Sequence, residues 1–235
     1  LGFPVRILAR DLSGSLNKDQ RHRLERVMRL RPGDAFVITD GRGHEADATL
    51  ENNGEYSASE WRTPAREAKL DICLFAAIIK GDRFDWLIEK AVELGVKKIV
   101  PFFCQHSVVK KVSENKTKRW QKIAQSAMLQ CGGCILPEVT EPRSLKKIAA
   151  EKKYFPSIVL YEADTQNSLE DFKQLKTRDA CNILTGPEGG FSSEEIQALQ
   201  NMGWQIVWLG PRIFRAETAP LIAIASVIDC CWGHK

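Results

Sequence analysis

The chain has 235 residues, 43% of them hydrophobic and 27% charged, with a formal net charge of +4. That balance is globular, with length for one substantial core and a smaller second one, and no stretch approaches the ~20 consecutive apolar residues of a membrane helix. Seven scattered cysteines, with Cys230 and Cys231 adjacent, argue against a disulfide framework, and the positive charge favours an anionic partner. The start, Leu1-Gly2-Phe3-Pro4, lacks a secretory signal pattern, so a cytoplasmic location is expected.

In chain order, Phe3, Val5, Ile7 and Leu8 give a short apolar stretch. From Arg21 to Arg31, Leu24, Val27 and Met28 recur at helical spacing with mostly arginine between them. This predicts a helix that buries one narrow stripe and turns positive charge to solvent. Pro32-Gly33-Asp34 reads as a turn, Phe36-Val37-Ile38 as a strand, Asp40-Gly41-Arg42-Gly43 as a hairpin turn, and Ala46, Ala48 and Leu50 as the inward side of the return strand. Asn52-Asn53-Gly54 closes it. Short strands with tight turns suggest a small barrel. The arginines read either as a solvated face or as phosphate contacts, since the guanidinium fork matches phosphate oxygens. Composition changes around Thr63 to Ala68, which places a domain boundary there and divides the chain into 1–68 and 69–235.

The larger domain opens on a continuous apolar run, Ile72 to Ile79, the pattern of a strand buried on both sides. Phe84, Leu87, Ile88, Ala91 and Leu94 predict a helix ending at Gly95. Ile99 to Phe103 is the next strand, and Pro101 argues that it is an edge or ends irregularly. A helix is expected from about Asn115 to Gln130, with Trp120, Ile123, Ala124 and Ala127 inward and Lys116, Lys118, Arg119 and Lys122 largely outward. Further strands are expected at Ile158 to Tyr161, Ile183-Leu184 and Ile206 to Leu209, with helices at Leu145 to Lys153, Glu194 to Met202, and from about Ala216 onward. Strands alternating with helices imply an α/β domain with a mostly parallel sheet covered on both faces.

Two loops carry the chemistry. Gly186-Pro187-Glu188-Gly189-Gly190-Phe191 follows a strand and precedes Ser192-Ser193-Glu194-Glu195, a capping box that starts a helix. It is neither the spaced glycine fingerprint of nicotinamide-binding folds nor a phosphate-binding P-loop. It suits either a nucleotide-derived ligand held by backbone groups or a plain structural turn. The second loop, Gly210 to Ala219, places Arg215 near the start of an apolar helix, where the dipole opposes it, so a partner is expected. That partner is either a ligand or a brace to Glu217 or Glu188. Cys131, Cys134, Cys230, Cys231 and His234 lack the spacing of a zinc module, and Cys131 and Cys134 read as turn and core residues. His22, His44 and His106 show no ligand spacing, and no G-x-S-x-G nucleophile motif occurs.

The first loop through Ser192, followed by Leu209-Gly210-x-Arg212-Ile213-x-Arg215-Ala216-Glu217-Thr218-Ala219, closely resembles the signature loops of the bacterial 16S rRNA uridine-N3 methyltransferases. These enzymes are a branch of the knotted SPOUT superfamily. Lys90-Ala91-x-Glu93-Leu94-Gly95-Val96, Pro101, Ser107, Trp120-x-x-Ile123-Ala124, Gln130-Cys131-Gly132 and Pro137 match in the same order, as do His22-x-Leu24-x-x-Val27-x-Arg29 and Gly33-Asp34. The resemblance covers nearly the whole chain. It departs from the family pattern at Gln105-His106, Leu129, Gly133 and Phe214.

The resemblance implies a PUA-like β-barrel over 1–68, a SPOUT domain over 69–235 with a deep trefoil knot at roughly 157–225, and a homodimer. It implies S-adenosyl-L-methionine as cofactor, held by Leu160, Tyr161, Glu162, Thr185, Gly186, Pro187, Glu188, Gly189, Gly190, Leu209, Gly210, Ile213, Phe214, Arg215, Thr218 and Ala219. The implied reaction is methylation of N3 of one uridine in the 16S rRNA of the small ribosomal subunit. Arg215 is expected to stabilise the charge that develops on the base, oriented by Glu217 or Glu188. Arg21, His22, Arg23, Arg26, Arg29, Lys110 and Lys111 are expected to contact RNA. The alternatives are a non-catalytic RNA-binding relative and a methyltransferase acting on another RNA.

Overall fold

The computed structural model describes residues 4–150, 155–163, 167–169 and 179–231, with only the backbone at 230 and 231. Phe3, the end of the helix expected to reach Lys153, and His234 lie outside the described residues. The chain forms two compact units: Leu1–Glu67 with Gln125–Leu136, and Ala68–Ala124 with Pro137–Lys235.

The first unit holds strands β1 (Arg6–Leu8), β2 (Ser13–Ser15), β3 (Ala35–Thr39), β4 (Glu45–Leu50) and β5 (Glu55–Ala58), in the spatial order β1-β3-β4-β5-β2. β1 runs parallel to β3, and the remaining pairs are antiparallel. Where the turns suggested a small barrel, the five strands form a curled sheet, and among the described residues no ladder joins β1 to β2. The edge strand β2, Ser13-Gly14-Ser15, is exposed throughout. Leu24, Phe36, Ile38, Leu50 and Tyr56 pack in the core of the curl. The β3–β4 hairpin turns where predicted: Asp40 Oδ1 accepts the N–H groups of Arg42 and His44 at 2.7 and 3.0 Å, and Gly41 takes a left-handed φ of 71°. Gly43 and Gly41 also pair with the backbone of Cys134 and Leu136, which laces the segment Gln125–Leu136 onto this unit.

The arginine-rich helix differs from expectation. A short helix, α1 (Lys18–Arg21), opens with an Asn17–Gln20 capping box and passes into one π-helical turn, His22–Val27. There the Met28 N–H bonds back to the Arg23 carbonyl at 2.9 Å, and Arg29 adopts φ 60°. The wider pitch breaks the spacing of three and four. Leu24 is fully buried, whereas Val27 and Met28, expected to share its stripe, are 59% and 43% exposed.

The second unit contains β6 (Asp71–Ala77), α2 (Arg83–Glu93), β7 (Lys98–Phe103), α3 (Glu114–Cys131), the two-residue strands β8 (Glu138–Val139) and β9 (Arg143–Ser144), and α4 (Leu145–Ala150). It continues with β10 (Ser157–Leu160), β11 (Ala180–Thr185), α5 (Ser193–Asn201), β12 (Gln205–Val207) and α6 (Ala219–Cys231). α3 crosses the division between the units in sequence. The sheet is parallel in the order β12-β10-β11-β6-β7-β8, with β9 also on β7. Pro101 is neither at an edge nor at an irregular end. β7 pairs β8 through Lys98 and Ile99 and β9 through Phe102 and Phe103, so the proline occupies the gap between two ladders, where a missing N–H breaks no bond. Phe75, Val100, Phe102, Val159, Leu184, Phe191 and Trp204 pack into one core beneath the sheet. α6 packs against β11, β6 and α2 and begins at Ala219 rather than Ala216, so Arg215 sits in the turn ahead of it. Among the described residues no helix is long and apolar enough to cross a membrane.

Candidate active site

The strand order reverses at β10: its successor β11 lies on one side and β12 on the other. Connections leaving in opposite directions open a crevice at the carboxyl ends of the strands, the usual ligand position in an open α/β sheet. Here the crevice is a cavity of about 360 Å³. Its wall takes Leu160, Tyr161 and Glu162 from the end of β10, and Thr185, Gly186, Pro187, Glu188, Gly190 and Phe191 from the glycine loop. Leu209, Gly210, Arg212, Ile213, Phe214, Arg215, Ala216 and Ala219 come from the loop before α6, and Arg83 from the start of α2.

Local geometry explains the glycines. A Cβ on Gly186 would stand 2.8 Å from Cε2 of Phe191, whose ring is buried beneath the loop and stacked on Phe102. Gly190 has φ +66°, and a Cβ there would meet Glu162 Oε1 at 3.4 Å, so glycine lets the loop backbone approach that carboxylate. Gly189 faces away from the cavity. Its carbonyl oxygen lies 3.0 Å from His106 Nδ1, and a Cβ there would touch the His106 Cβ at 3.0 Å. Glu195 completes the predicted capping box with Ser192 and also accepts the Gln105 N–H at 2.8 Å, so the 104–107 turn braces the glycine loop from behind. Burial pushes the Cys104 thiol in that brace above its ordinary value and leaves it protonated.

Of the expected cofactor residues, the structure gathers all but Gly189 and Thr218 around the cavity. Thr218 is half-buried, and its N–H donates to the Arg215 carbonyl at 2.9 Å. The carboxylates expected to orient Arg215 do something else. Glu188 Oε1 pairs with Arg83 Nη2 at 2.6 Å, and Glu217 Oε2 lies 3.7 Å from Arg83 Nη1. Arg215 is exposed on the cavity wall, and its guanidinium has no hydrogen bond or ion pair to the other described residues. A free guanidinium is available to a ligand, whereas one braced by two carboxylates is largely neutralised. Arg83 was missed from sequence, although an arginine in the first turn of a helix opposes the dipole and invites the question asked of Arg215.

The expected RNA contacts fall in two places. Arg21, His22, Arg26 and Arg29 are exposed on the first unit, and Arg21 is paired with Glu25 at 2.9 Å. Arg21, Arg26 and Arg31 also line a concavity of about 320 Å³ with Glu25 and Glu51. Arg23 is half-buried, and its Nε has no hydrogen-bond partner among the described residues. Lys110 and Lys111 are exposed on the second unit, where the Lys110 ammonium donates to the Gln105 carbonyl at 2.9 Å. Cys134 is fully buried and Cys131 half-buried, and among the described residues no cluster of three or more histidine, cysteine or acidic side chains could hold a metal ion.

Comparison with known proteins agrees with this geometry. The sequence model of the RNA methyltransferase domain matches residues 66–228, and that of the RNA methyltransferase PUA domain matches residues 16–57. The chain is 31% identical over 226 residues to the Ribosomal RNA small subunit methyltransferase E of Bacillus subtilis, a match covering 91% of this chain and 88% of that protein. It is 33% identical over 218 residues to the enzyme of the same name from Synechocystis, covering 91% and 72%. Its fold superimposes with TM-score 0.87 on the Neisseria gonorrhoeae Ribosomal RNA small subunit methyltransferase E bound to S-adenosyl methionine, at 29% identity over 95% of this chain and 96% of that one. A Legionella pneumophila methyltransferase in complex with the same cofactor gives TM-score 0.87 at 28% identity, covering 96% and 97%. With a matched methyltransferase domain, a matched PUA domain and near-full-length relatives, the chain belongs to the family of the bacterial ribosomal RNA small subunit methyltransferase E enzymes, in the SPOUT superfamily.

Proposed function

We propose that this protein methylates N3 of a uridine in the 16S rRNA of the small ribosomal subunit, with S-adenosyl-L-methionine as donor, in the cytoplasm and as a homodimer. The observation that carries the proposal is the cavity where the glycine loop and the Arg215 loop meet at the carboxyl ends of β11 and β12, the two strands that flank β10. Its volume falls in the range of small-molecule sites, roughly 300–1,000 Å³. Leu160, Leu209, Ile213 and Phe214 supply apolar wall, and Gly190 gives a close approach of backbone that a side chain would fill. That combination fits a nucleoside-bearing cofactor. The Neisseria and Legionella relatives bind S-adenosylmethionine, which supports placing it here.

The bound cofactor supplies a methyl group on an electrophilic sulfonium, so the chain's own residues have to position the base and stabilise its charge. Uridine N3–H is weakly acidic, and loss of its proton leaves negative charge shared with O2 and O4. The unpaired guanidinium of Arg215 on the cavity wall is placed to hold that charge as it develops. Glu188 and Glu217 act on the site through Arg83. The curled sheet of residues 1–68 would then hold RNA by Arg21, His22, Arg23, Arg26 and Arg29, with Lys110 and Lys111 contributing from the SPOUT domain over 69–235. A trefoil knot over roughly 157–225 is supported by two features: α6 follows β12 in sequence yet packs on β11 and β6, and the loop between them shares a cavity with the loops after β10 and β11.

The test is methyl transfer from labelled S-adenosylmethionine to small ribosomal subunits from cells lacking this gene, with mass mapping of the rRNA digest. A single N3-methyluridine is the expected product. Labelling of another base, of a ribose hydroxyl, or of nothing while the cofactor binds would overturn the assignment.

A further inference from the structure

Arg83 stands where three elements meet. It belongs to the first turn of α2, lines the cavity, and reaches carboxylates on both signature loops. The contact to Glu188 is short, and Glu188 Oε1 also lies 3.4 Å from the Lys80 N–H. The contact to Glu217 is long. Glu217 is 7% exposed, and its Oε2 accepts no hydrogen bond among the described residues. A buried carboxylate oxygen without a donor is costly, and bringing Arg83 closer by about 0.5–1 Å would make it a charge-assisted hydrogen bond. The clamp is therefore drawn half-closed: tight on the glycine loop and open on the turn before α6.

That turn is tied together by its own backbone. The Arg215 carbonyl accepts the N–H groups of both Thr218 and Ala219, so the position of Glu217 sets where the Arg215 backbone stands. Arginine can serve two carboxylates at once because its donors form a planar fork, whereas a lysine ammonium is a point charge.

We propose that Arg83 is a positioning residue for methyl transfer: it ties the glycine loop to the turn presenting Arg215, and filling the cavity closes its contact with Glu217. This rests on the cofactor reading given under Proposed function. The residue touches the cavity but acts on the reaction through Glu188, Glu217 and thereby Arg215.

The experiment compares full-length wild type, Arg83→Lys, Arg83→Ala and the double variant Arg83→Ala/Glu217→Gln. Three quantities are read: titration calorimetry with S-adenosylmethionine alone, steady-state methyl transfer to small subunits, and thermal melting. Arg83→Ala should weaken cofactor binding by about tenfold, the scale of one charge-assisted contact, and lower kcat further, with KM for the subunit within about twofold. Arg83→Lys should melt like wild type and bind the cofactor, yet fail to recover kcat. The double variant should melt higher than Arg83→Ala, since it removes the buried charge that Arg83→Ala strands, while its binding is no worse.

Arg83→Ala and Arg83→Lys both matching wild type in binding and kcat would overturn the clamp, as would full recovery of kcat by lysine. Should Arg83→Ala fail to fold, the lysine variant still decides, because it keeps the charge and removes the fork. If wild type itself binds no S-adenosylmethionine, the cofactor reading falls first, which is a separate result.

Discussion

Arg6 Nη1 lies 2.7 Å from Glu45 Oε2 with both side chains buried, and Arg62 and Arg66 close on the same carboxylate. Burial alone raises the Glu45 carboxyl, but hydrogen bonds from Arg66 and Arg6 outweigh it and hold the group at about 2 against an ordinary 4.5. A carboxylate depressed in the folded state stabilises the fold above its unfolded value and loses that contribution as pH falls through its folded value. The contribution here is on the order of 3 kcal/mol, complete above pH 4.5 and lost progressively between 4.5 and about 2. Glu45→Gln should destabilise the neutral-pH protein by about 3–5 kcal/mol, because it strands the buried Arg6 charge. Thermal melts of the full chain across that acid window check this: the gap between variant and wild type should narrow as pH falls, and a constant gap would refute it.

Much of the second unit was legible because its signals are local. The apolar run from Ile72, the spacing of Phe84, Leu87, Ile88 and Ala91, and the Ser192–Glu195 capping box each declare an element within a few residues, and β6, α2 and α5 stand accordingly. The two cavity loops were legible for the same reason. What escaped depended on partners distant in sequence. The place of Arg83 in the first turn of its helix calls for a partner, but only the fold names it as Glu188, 105 residues away. Pro101 reads as an edge marker unless β8 and β9 are known to bracket it. The π-helical turn escaped for a different reason: Leu24, Val27 and Met28 have α-helical spacing, and nothing local announces that the Met28 N–H reaches back to Arg23.

Gly186→Ala should disturb the site through packing rather than backbone strain. The added Cβ would meet Phe191 ring carbons at 2.8, 3.1 and 3.2 Å, and that ring is held from below by near-parallel stacking on Phe102. Overpacking of this kind typically costs about 1–3 kcal/mol. Gly190→Ala meets only Glu162 Oε1, at 3.4 Å, and pays for a left-handed φ, about 1–2 kcal/mol. Melting temperatures and cofactor affinity of the two variants check the distinction. The Gly186 variant should lose cofactor binding together with stability, whereas the Gly190 variant should keep a well-packed Phe191.

Arg215→Ala should separate binding from chemistry. The guanidinium makes no hydrogen bond or ion pair with the other described residues, so its removal should leave the fold and the apolar cavity wall in place, and the melting temperature should not move. Removal of one preorganised donor at a site of developing negative charge typically lowers kcat by roughly 10²–10³. Cofactor affinity measured without RNA should stay within about twofold, since the loss falls in the transition state. A normal rate at saturating substrate would take the role away from Arg215.

The exposed arginines of the first unit should govern affinity and its dependence on salt. Arg26 and Arg29 protrude beside the π-helical turn, and no ion pair occupies either among the described residues. Neutralising a phosphate contact lowers the slope of log affinity against log salt by about one and weakens all sequences alike. Arg29 permits a sharper version of the test, because its φ of 60° is a conformation that side chains avoid and glycine accepts. Arg29→Gly therefore removes the charge while relieving the backbone, and should leave the melting temperature equal to or above wild type as RNA affinity falls. Arg23 differs: its Nε is buried without a partner among the described residues, so Arg23→Ala should change stability as well as binding. Measuring subunit binding at several salt concentrations for Arg26→Ala and Arg29→Gly decides the matter. Parallel lines with an unchanged slope would mean that these arginines form a solvated face and that RNA is held elsewhere.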